Sequence, residues 1–342
     1  MIIEVMEMKT EQVWKNTSVL VTGATGLIGS ALVDSLVCIG ANVTICGRNE
    51  EKIKLIFKKE ISENRIKYIV TNVSSGLPEI DDDFDFIFHA ASPISGAEIK
   101  LNPVDTIEAN LSGCRSCLEY LRKQQLKKGK KGRLIVFSSA TVYGNHFSED
   151  YIASEEKTND TDTLDSDNAP YSESKRMIEV LSRAYYKQYE VDSVIVRIGY
   201  VYGYSKSMPN TAFYEFIKKA INGEKITLNN SGMGRRDNIY VEDVVDGLMT
   251  VAVHGVSGEA YNISSGNDMG NFSAIDEIAD VIAKCAYELN INEHSSAEVK
   301  PMTEPRKPGL ILDNSKIKEL GWCVKTELKE GIMSTIKLYI ND

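Results

Sequence analysis

Short apolar runs and amphipathic stretches alternate through the first part of the chain. Ser18-Val-Leu-Val21 is an apolar run that stops at Gly23, and Leu27 to Ile39 then places its apolar residues at helical period. Asn42-Val-Thr-Ile-Cys46, Ile66-Lys-Tyr-Ile-Val70, Phe84-Asp-Phe-Ile-Phe88, Arg133-Leu-Ile-Val-Phe137 and Ser193-Val-Ile-Val-Arg197 read as further strands. Between them lie a helix-opening polar segment at Gly47-Arg48-Asn49-Glu50, a long helix from about Val104 to Gln125, and a helix carrying Tyr171. Strands separated by helices predict a doubly wound parallel α/β sheet.

Beyond Tyr202-Gly203 the alternation becomes irregular. Helices are expected at Phe213–Asn222, Val241–Val253, Ser273–Leu289, Asp313–Leu320 and Leu328–Tyr339, with a strand at Lys225–Leu228 and a polar turn at Gly232–Asp237. The pattern divides the chain into a large domain over 1–200, completed by a return helix at about 239–255, and a smaller C-terminal α/β lobe made of 201–238 and 256–342.

Composition narrows the function without naming it. The 342 residues are 42% hydrophobic and 26% charged, as in an ordinary globule. A net charge of −10 argues against nucleic acid or an anionic membrane as partner. No apolar run reaches the roughly 20 residues that span a bilayer. The opening Met1-Ile-Ile-Glu-Val-Met-Glu-Met-Lys9 lacks the basic start and apolar run of a secretion signal, and reads as a short helix or loose arm. Six cysteines show no disulfide framework, so a reducing cytoplasm is expected. Cys114 and Cys117 have metal or redox spacing but no second Cys/His pair, and they fall in an apolar helical pattern. Core packing is the expected role, and no metal site is expected.

The chemistry begins at Gly23-Ala-Thr25-Gly26-Leu27-Ile28-Gly29. Glycines at this spacing between a strand and a helix let a pyrophosphate approach bare backbone at a helix N-terminus, the Rossmann-type answer to a dinucleotide. After the second strand, a carboxylate would accept from a ribose 2′-hydroxyl, whereas a cation suits a 2′-phosphate. The chain offers Arg48 there and no acid until Glu50, so NADP(H) is expected in preference to NAD(H). Asn72-Val73, after the third strand, are candidates for the adenine edge, and Ala90-Ala91 close the fourth strand at the same end of the sheet.

Tyr171 and Lys175 are the second chemical feature. Four residues apart on a helix, the phenol and the ammonium share one face. The lysine charge is expected to favour the phenolate and lower the tyrosine pKa from about 10 toward neutrality. That pairing makes a general acid/base for a hydroxyl proton while a nicotinamide moves the hydride. Ser139, closing the strand at Ser138-Ser139-Ala140-Thr141-Val142-Tyr143-Gly144, adds a hydroxyl on the same side of the sheet.

With these motifs in place, the chain from Val19 to Trp322 resembles the extended short-chain dehydrogenase/reductase family, in its nucleotide-sugar epimerase/dehydratase branch. The resemblance implies that Ser139 helps hold the sugar oxygen, that Tyr171 is the acid/base, and that Lys175 binds the nicotinamide ribose and tunes Tyr171. It implies a nucleoside diphosphate sugar as substrate, bound largely by the smaller lobe. Arg236, in Gly232-Met-Gly-Arg-Arg236-Asp237-Asn-Ile-Tyr240-Val-Glu-Asp243, fits the arginine that reaches the diphosphate. Arg306, in Pro305-Arg306-Lys307-Pro308, fits a second one. Guanidinium forks match phosphate oxygens bidentately. Ser92, Thr141 and Tyr200 complete the expected substrate contacts, and a homodimer built on a helix pair from the sheet's flank is also implied.

The resemblance extends to the reaction, hydride exchange at a sugar carbon, usually C4. Sugar 4,6-dehydratases carry an Asp-Glu pair where this chain has Ala140-Thr141, and elimination needs that carboxylate. Ala91-Ser92-Pro93 is similar to UDP-glucuronate decarboxylases, which carry a glutamate at the place of Thr141. Ser-Ser-Ala-Thr-Val-Tyr-Gly is the form seen in UDP-galactose 4-epimerases, implying resident NAD. Arg48 points instead to NADPH drawn from solution and reduction of a 4-keto sugar nucleotide, the leading expectation. A dinucleotide sensor without turnover is the reading from another class, and the presence of Ser139, Tyr171 and Lys175 counts against it.

Two positions depart from the branch. Ile198 replaces a usual proline, and Tyr200 stands where an asparagine often contacts sugar or phosphate. The segment from Asn145 to Ala169 is strongly acidic, with Glu149, Asp150, Glu155, Glu156, Asp160, Asp162, Asp165 and Asp167, and is expected to be a solvated loop.

Overall fold

The computed structural model describes residues 12–93, 96–144, 148–157, 163–228, 232–266, 268–298 and 306–341. The expected N-terminal helix or arm, Asp160 and Asp162 of the acidic segment, and Pro305 lie outside the described residues.

The strands in chain order are β1 (Ser18–Thr22), β2 (Asn42–Gly47), β3 (Ile66–Val70), β4 (Phe86–His89), β5 (Arg133–Ser139), β6 (Tyr151–Ala153), β7 (Asp192–Ile198), β8 (Tyr200–Tyr202), β9 (Arg235–Tyr240), β10 (Ala260–Ile263), β11 (Phe272–Ala274) and β12 (Leu310–Leu312). Seven of them form one sheet in the order β10-β7-β5-β4-β1-β2-β3, and every pairing in it is parallel. A parallel sheet needs cover on both faces. Helices Leu27–Ile39 and Val241–His254 bury one face, around Leu32, Val33, Leu36, Val244 and Leu248. Pro103–Lys128 and Ala169–Tyr189 bury the other, around Cys114, Cys117, Leu118, Leu121 and Ile178. The two cysteines are core residues, as their apolar setting predicted.

Expected and observed elements agree for the first strands and helices, and β3 and Leu27–Ile39 match to the residue. The seventh strand, β10, is too short to stand out in the sequence; it pairs with β7 after the return helix. Two expectations need correction. Among the described residues Lys225–Leu228 is not a strand, and an isolated bridge joins Thr227 to Glu298. The supposed turn at Gly232–Asp237 becomes strand from Arg235 onward, because β9 lies between β8 and β11 in a three-stranded sheet that supplies its backbone partners.

A second core gathers Tyr214, Ile217, Ile278, Ile282 and Ile332 from helices Ala212–Ile221, Ile275–Glu288 and Leu328–Asn341. The acidic segment is more ordered than a solvated loop. Its residues Tyr151–Ala153 form β6, parallel to β12 from far along the chain. Asp150 accepts the Gly309 amide at 3.0 Å and pairs with Arg235, while the Glu155 carboxylate accepts the Asn262 amide at 2.7 Å. Glu149, Glu156 and Asp165 remain exposed.

Candidate active site

The glycine turn is built for contact with backbone. Gly23 adopts φ +68°, and a Cβ there would lie 2.6 Å from the Ala90 carbonyl carbon and the Ala91 nitrogen. A Cβ on Gly29 would lie 2.3 Å from the Gly23 oxygen, so the first helix can press onto the turn only with glycine there. Gly26 caps that helix without a side-chain hydrogen bond, leaving its first amides without a side-chain acceptor from the cap. Such amides at a positive helix end, over a turn with no side chain in the way, fit a dinucleotide pyrophosphate. Thr25 and Ile28 are half-buried beside this turn. The Leu27 side chain packs into the second core with Tyr202 and Val241, so Leu27 can offer a ligand only its backbone.

Arg48 is exposed directly after β2 and makes no hydrogen bond or ion pair among the described residues. The nearest acid, Glu50, pairs with Lys54 at 2.7 Å and accepts from the Tyr68 hydroxyl at 3.3 Å. Asn72 uses its side-chain oxygen to accept the Ser74 amide at 3.2 Å, leaving its NH2 group for other partners, and Val73 is buried in the core. Ala90 and Ala91 stand against Gly23 at the end of β4.

Ser139, Tyr171, Lys175 and Ser92 come together where β5, β4 and helix Ala169–Tyr189 meet. The Lys175 ammonium donates to the Phe137 carbonyl at 2.7 Å and lies 5.5 Å from the Tyr171 ring centroid. Burial pushes Lys175 down to about 8. The expected lowering of the phenol is not observed. Burial raises Tyr171 above its ordinary value, outweighing the downward pull of hydrogen bonds to Ser139 and Ser92. Desolvation penalises the phenolate directly, while the Lys175 ammonium donates a hydrogen bond to the Phe137 carbonyl and sits over the ring rather than at the oxygen.

Thr141 follows Ser139 in a single helical turn, its amide donating to the Ser139 hydroxyl oxygen at 3.2 Å. The Thr141 hydroxyl is buried with no hydrogen-bond partner among the described residues. Three arginines, two on β9 and one ahead of β12, differ in how they are used. Arg235 pairs with Asp150 and lies over the Phe272 ring at 4.0 Å. Arg306 is committed to Asp276 at 2.9 Å and Glu277 at 3.0 Å. Arg236 lies 4.6 Å over the ring of Tyr200, and its guanidinium makes no hydrogen bond or ion pair among the described residues.

The sequence profile of the NAD dependent epimerase/dehydratase family matches residues 19–264, most of the length over which these features occur. The chain belongs to that family. It is 31% identical over 323 residues to UDP-glucuronic acid decarboxylase 6 of Arabidopsis thaliana, covering 93% of this chain and 87% of that protein. It is 29% identical over 343 residues to dTDP-glucose 4,6-dehydratase of Escherichia coli, covering 95% and 94%. Among solved structures it is similar to the Bordetella bronchiseptica enzyme WbmF in complex with NAD+ and UDP, with a TM-score of 0.71, 25% identity, and coverage of 96% of this chain and 93% of that one.

Several residues around this epimerase/dehydratase site escaped the sequence reading. Asn110 accepts from the Ser92 hydroxyl at 2.8 Å and donates to Ser174 at 2.8 Å, tying the phenol's neighbour back to the Tyr171 helix. Its sequence signal was faint: a polar residue in register with buried Thr106, Gly113, Cys114 and Cys117. Glu179 and Arg197 form a buried pair at 2.7 and 3.0 Å, and the Ser138 hydroxyl donates to Glu179 at 2.6 Å. Arg197 also donates to the Tyr143 hydroxyl at 2.8 Å and the Glu155 carbonyl at 2.9 Å. Tyr143 in turn donates to Asn262 at 2.7 Å. One polar network thus joins the helix carrying Tyr171, the strand ending at Ser139 and the acidic segment.

His89, at the end of β4, shares a 2.8 Å hydrogen bond with the Thr22 hydroxyl through Nδ1, and its Nε2 is buried with no partner among the described residues. Burial, reinforced by the Lys175 charge, pushes it down to about 3. Unfolded, it would titrate near about 6.5. Between those values the unfolded chain holds the extra proton, so stability falls as pH drops through that window. Denaturant midpoints should decline more steeply from pH ~6.5 to ~4 in the native protein than in His89→Asn. Equal slopes would clear His89 of any part in acid sensitivity.

Proposed function

We propose that this family member reduces a 4-keto sugar nucleotide at C4, with NADPH as reductant. The observation that carries the reading is Arg48, a cation after β2 with no hydrogen bond or ion pair among the described residues, whose nearest acid in sequence, Glu50, is already paired. A ribose 2′-phosphate would find a partner there, and a 2′-hydroxyl would find no carboxylate. The glycine turn would hold the pyrophosphate, and Lys175 the nicotinamide ribose. A nicotinamide, when bound, supplies the hydride. Tyr171 Oη gives its proton to the sugar oxygen, and the raised phenol pKa keeps that proton in place until it is needed. Ser139 orients the same oxygen from the end of β5.

Thr141 supports stopping at reduction. Elimination and decarboxylation both need a further acid or base near the sugar, and a threonine hydroxyl cannot fill that role at neutral pH. This separates the chain from what the names of its decarboxylase and dehydratase relatives state. Arg236 is the best-placed arginine for the diphosphate, since Arg306 is held by two acids. A homodimer and a cytoplasmic setting belong to the same reading. A second reading, an epimerase with resident NAD, rests on the Ser138-Ser-Ala-Thr-Val-Tyr-Gly144 run.

Mass spectrometry of cofactor released from freshly purified protein separates the two. Protein that arrives empty and binds NADPH more tightly than NADH supports the reductase, and Arg48→Asp should then reverse the preference. Stoichiometric bound NAD, or an unchanged preference in the variant, would reject it in favour of the epimerase.

A further inference from the structure

Arg236 and Tyr200 are neighbours by strand register. Tyr200 on β8 pairs with Asn238 on β9, and Arg236 lies two residues earlier on the same face of β9. The guanidinium sits 4.6 Å from the ring centroid, within the range of a cation–π contact. The other two arginines of the lobe are held by carboxylates, which neutralise their charge and occupy their N–H groups. An aromatic face does neither. It fixes the guanidinium plane while leaving all its donors and its full charge for an anion.

We infer that Tyr200 is the positioning residue of the diphosphate site: its ring serves as a platform that pre-orients Arg236 for the nucleotide's phosphates. The inference rests on the reading of Arg236 as the diphosphate arginine. It also gives a reason for an aromatic residue where the resemblance implied an asparagine, because a direct amide contact is exchanged for a better-ordered arginine. Tyr200 is 46% exposed, so replacing it removes little core packing. Its phenol is near enough to raise Tyr171, which sets the platform beside the acid/base.

The test is calorimetric titration of the full-length protein with UDP and with inorganic pyrophosphate, in excess NAD+ and NADP+ so that the glycine turn is occupied. Tyr200→Phe keeps the aromatic face and should bind both ligands within about twofold of the native protein. Tyr200→Leu keeps apolar bulk without the ring quadrupole and should weaken both by about 3- to 10-fold. In an Arg236→Ala background, Tyr200→Leu should have no further effect, a coupling that lost packing alone would not produce. If Tyr200→Leu binds as tightly as the native protein while Arg236→Ala is weakened, the platform is wrong and the diphosphate reading stands. If Arg236→Ala binds normally, the diphosphate reading itself fails and the platform falls with it.

Discussion

Tyr171→Phe is expected to lower turnover about 100-fold or more while leaving dinucleotide binding nearly unchanged. The substitution removes one oxygen, the atom that Ser139 and Ser92 reach, and keeps the ring that Lys175 overlies. Nothing in the glycine turn depends on that oxygen, so fluorescence titration with NADPH should give a similar affinity. Turnover with 4-keto sugar nucleotides should collapse in kcat. Near-native turnover in the variant would remove Tyr171 from the proton transfer. Ser139→Ala separates the roles further: it keeps the proton donor and loses an orienting hydrogen bond, so its loss should be smaller than that of Tyr171→Phe.

The second large effect is on stability. Arg197→Ala should destabilise the fold by about 3–5 kcal/mol, because it leaves the Glu179 carboxylate buried without its partner. Both side chains are 6% exposed, so water cannot take over the lost contacts. The same change also removes one partner of the Tyr143 hydroxyl, which keeps Asn262, and a donor to the Glu155 carbonyl. Removing the pair together, as Arg197→Met with Glu179→Leu, should cost less than the single change, since no charge is then left unpaired. Urea midpoints of the three proteins check this. A loss below about 1 kcal/mol for Arg197→Ala would mean that solvent reaches the site and the network is not closed.

What could be read in advance follows a physical pattern. The parallel core was legible because strands buried on both faces must be continuously apolar, as in Leu134–Phe137 and Val194–Val196. The glycine turn was legible because its spacing answers a local steric need. The Tyr171–Lys175 pairing was legible as a spacing, but the direction of the phenol's shift was not. It depends on burial created by the whole fold and on a carbonyl, Phe137, that attracts the lysine. Partners of Arg236 and Arg306 were equally hidden, since nothing in either segment reveals that Asp276 and Glu277 stand beside one and an aromatic ring beneath the other. The strand at Tyr151–Ala153 was missed because acidic neighbours masked three residues whose partner strand lies far along the chain at Leu310–Leu312.

That last pairing governs how the protein can be made. On a ribosome, residues up to about 200 emerge first and can assemble the nucleotide turn and most of the parallel strands without help. The stretch that carries Glu155 must wait, because the strand that completes it, Leu310–Leu312, is synthesised well after it. Until it arrives, Arg197 lacks one acceptor and Asp150 lacks the Gly309 amide. β6 therefore cannot pair until Leu310–Leu312 has been made, so a product terminated ahead of those residues would carry the glycine turn with an unfinished edge.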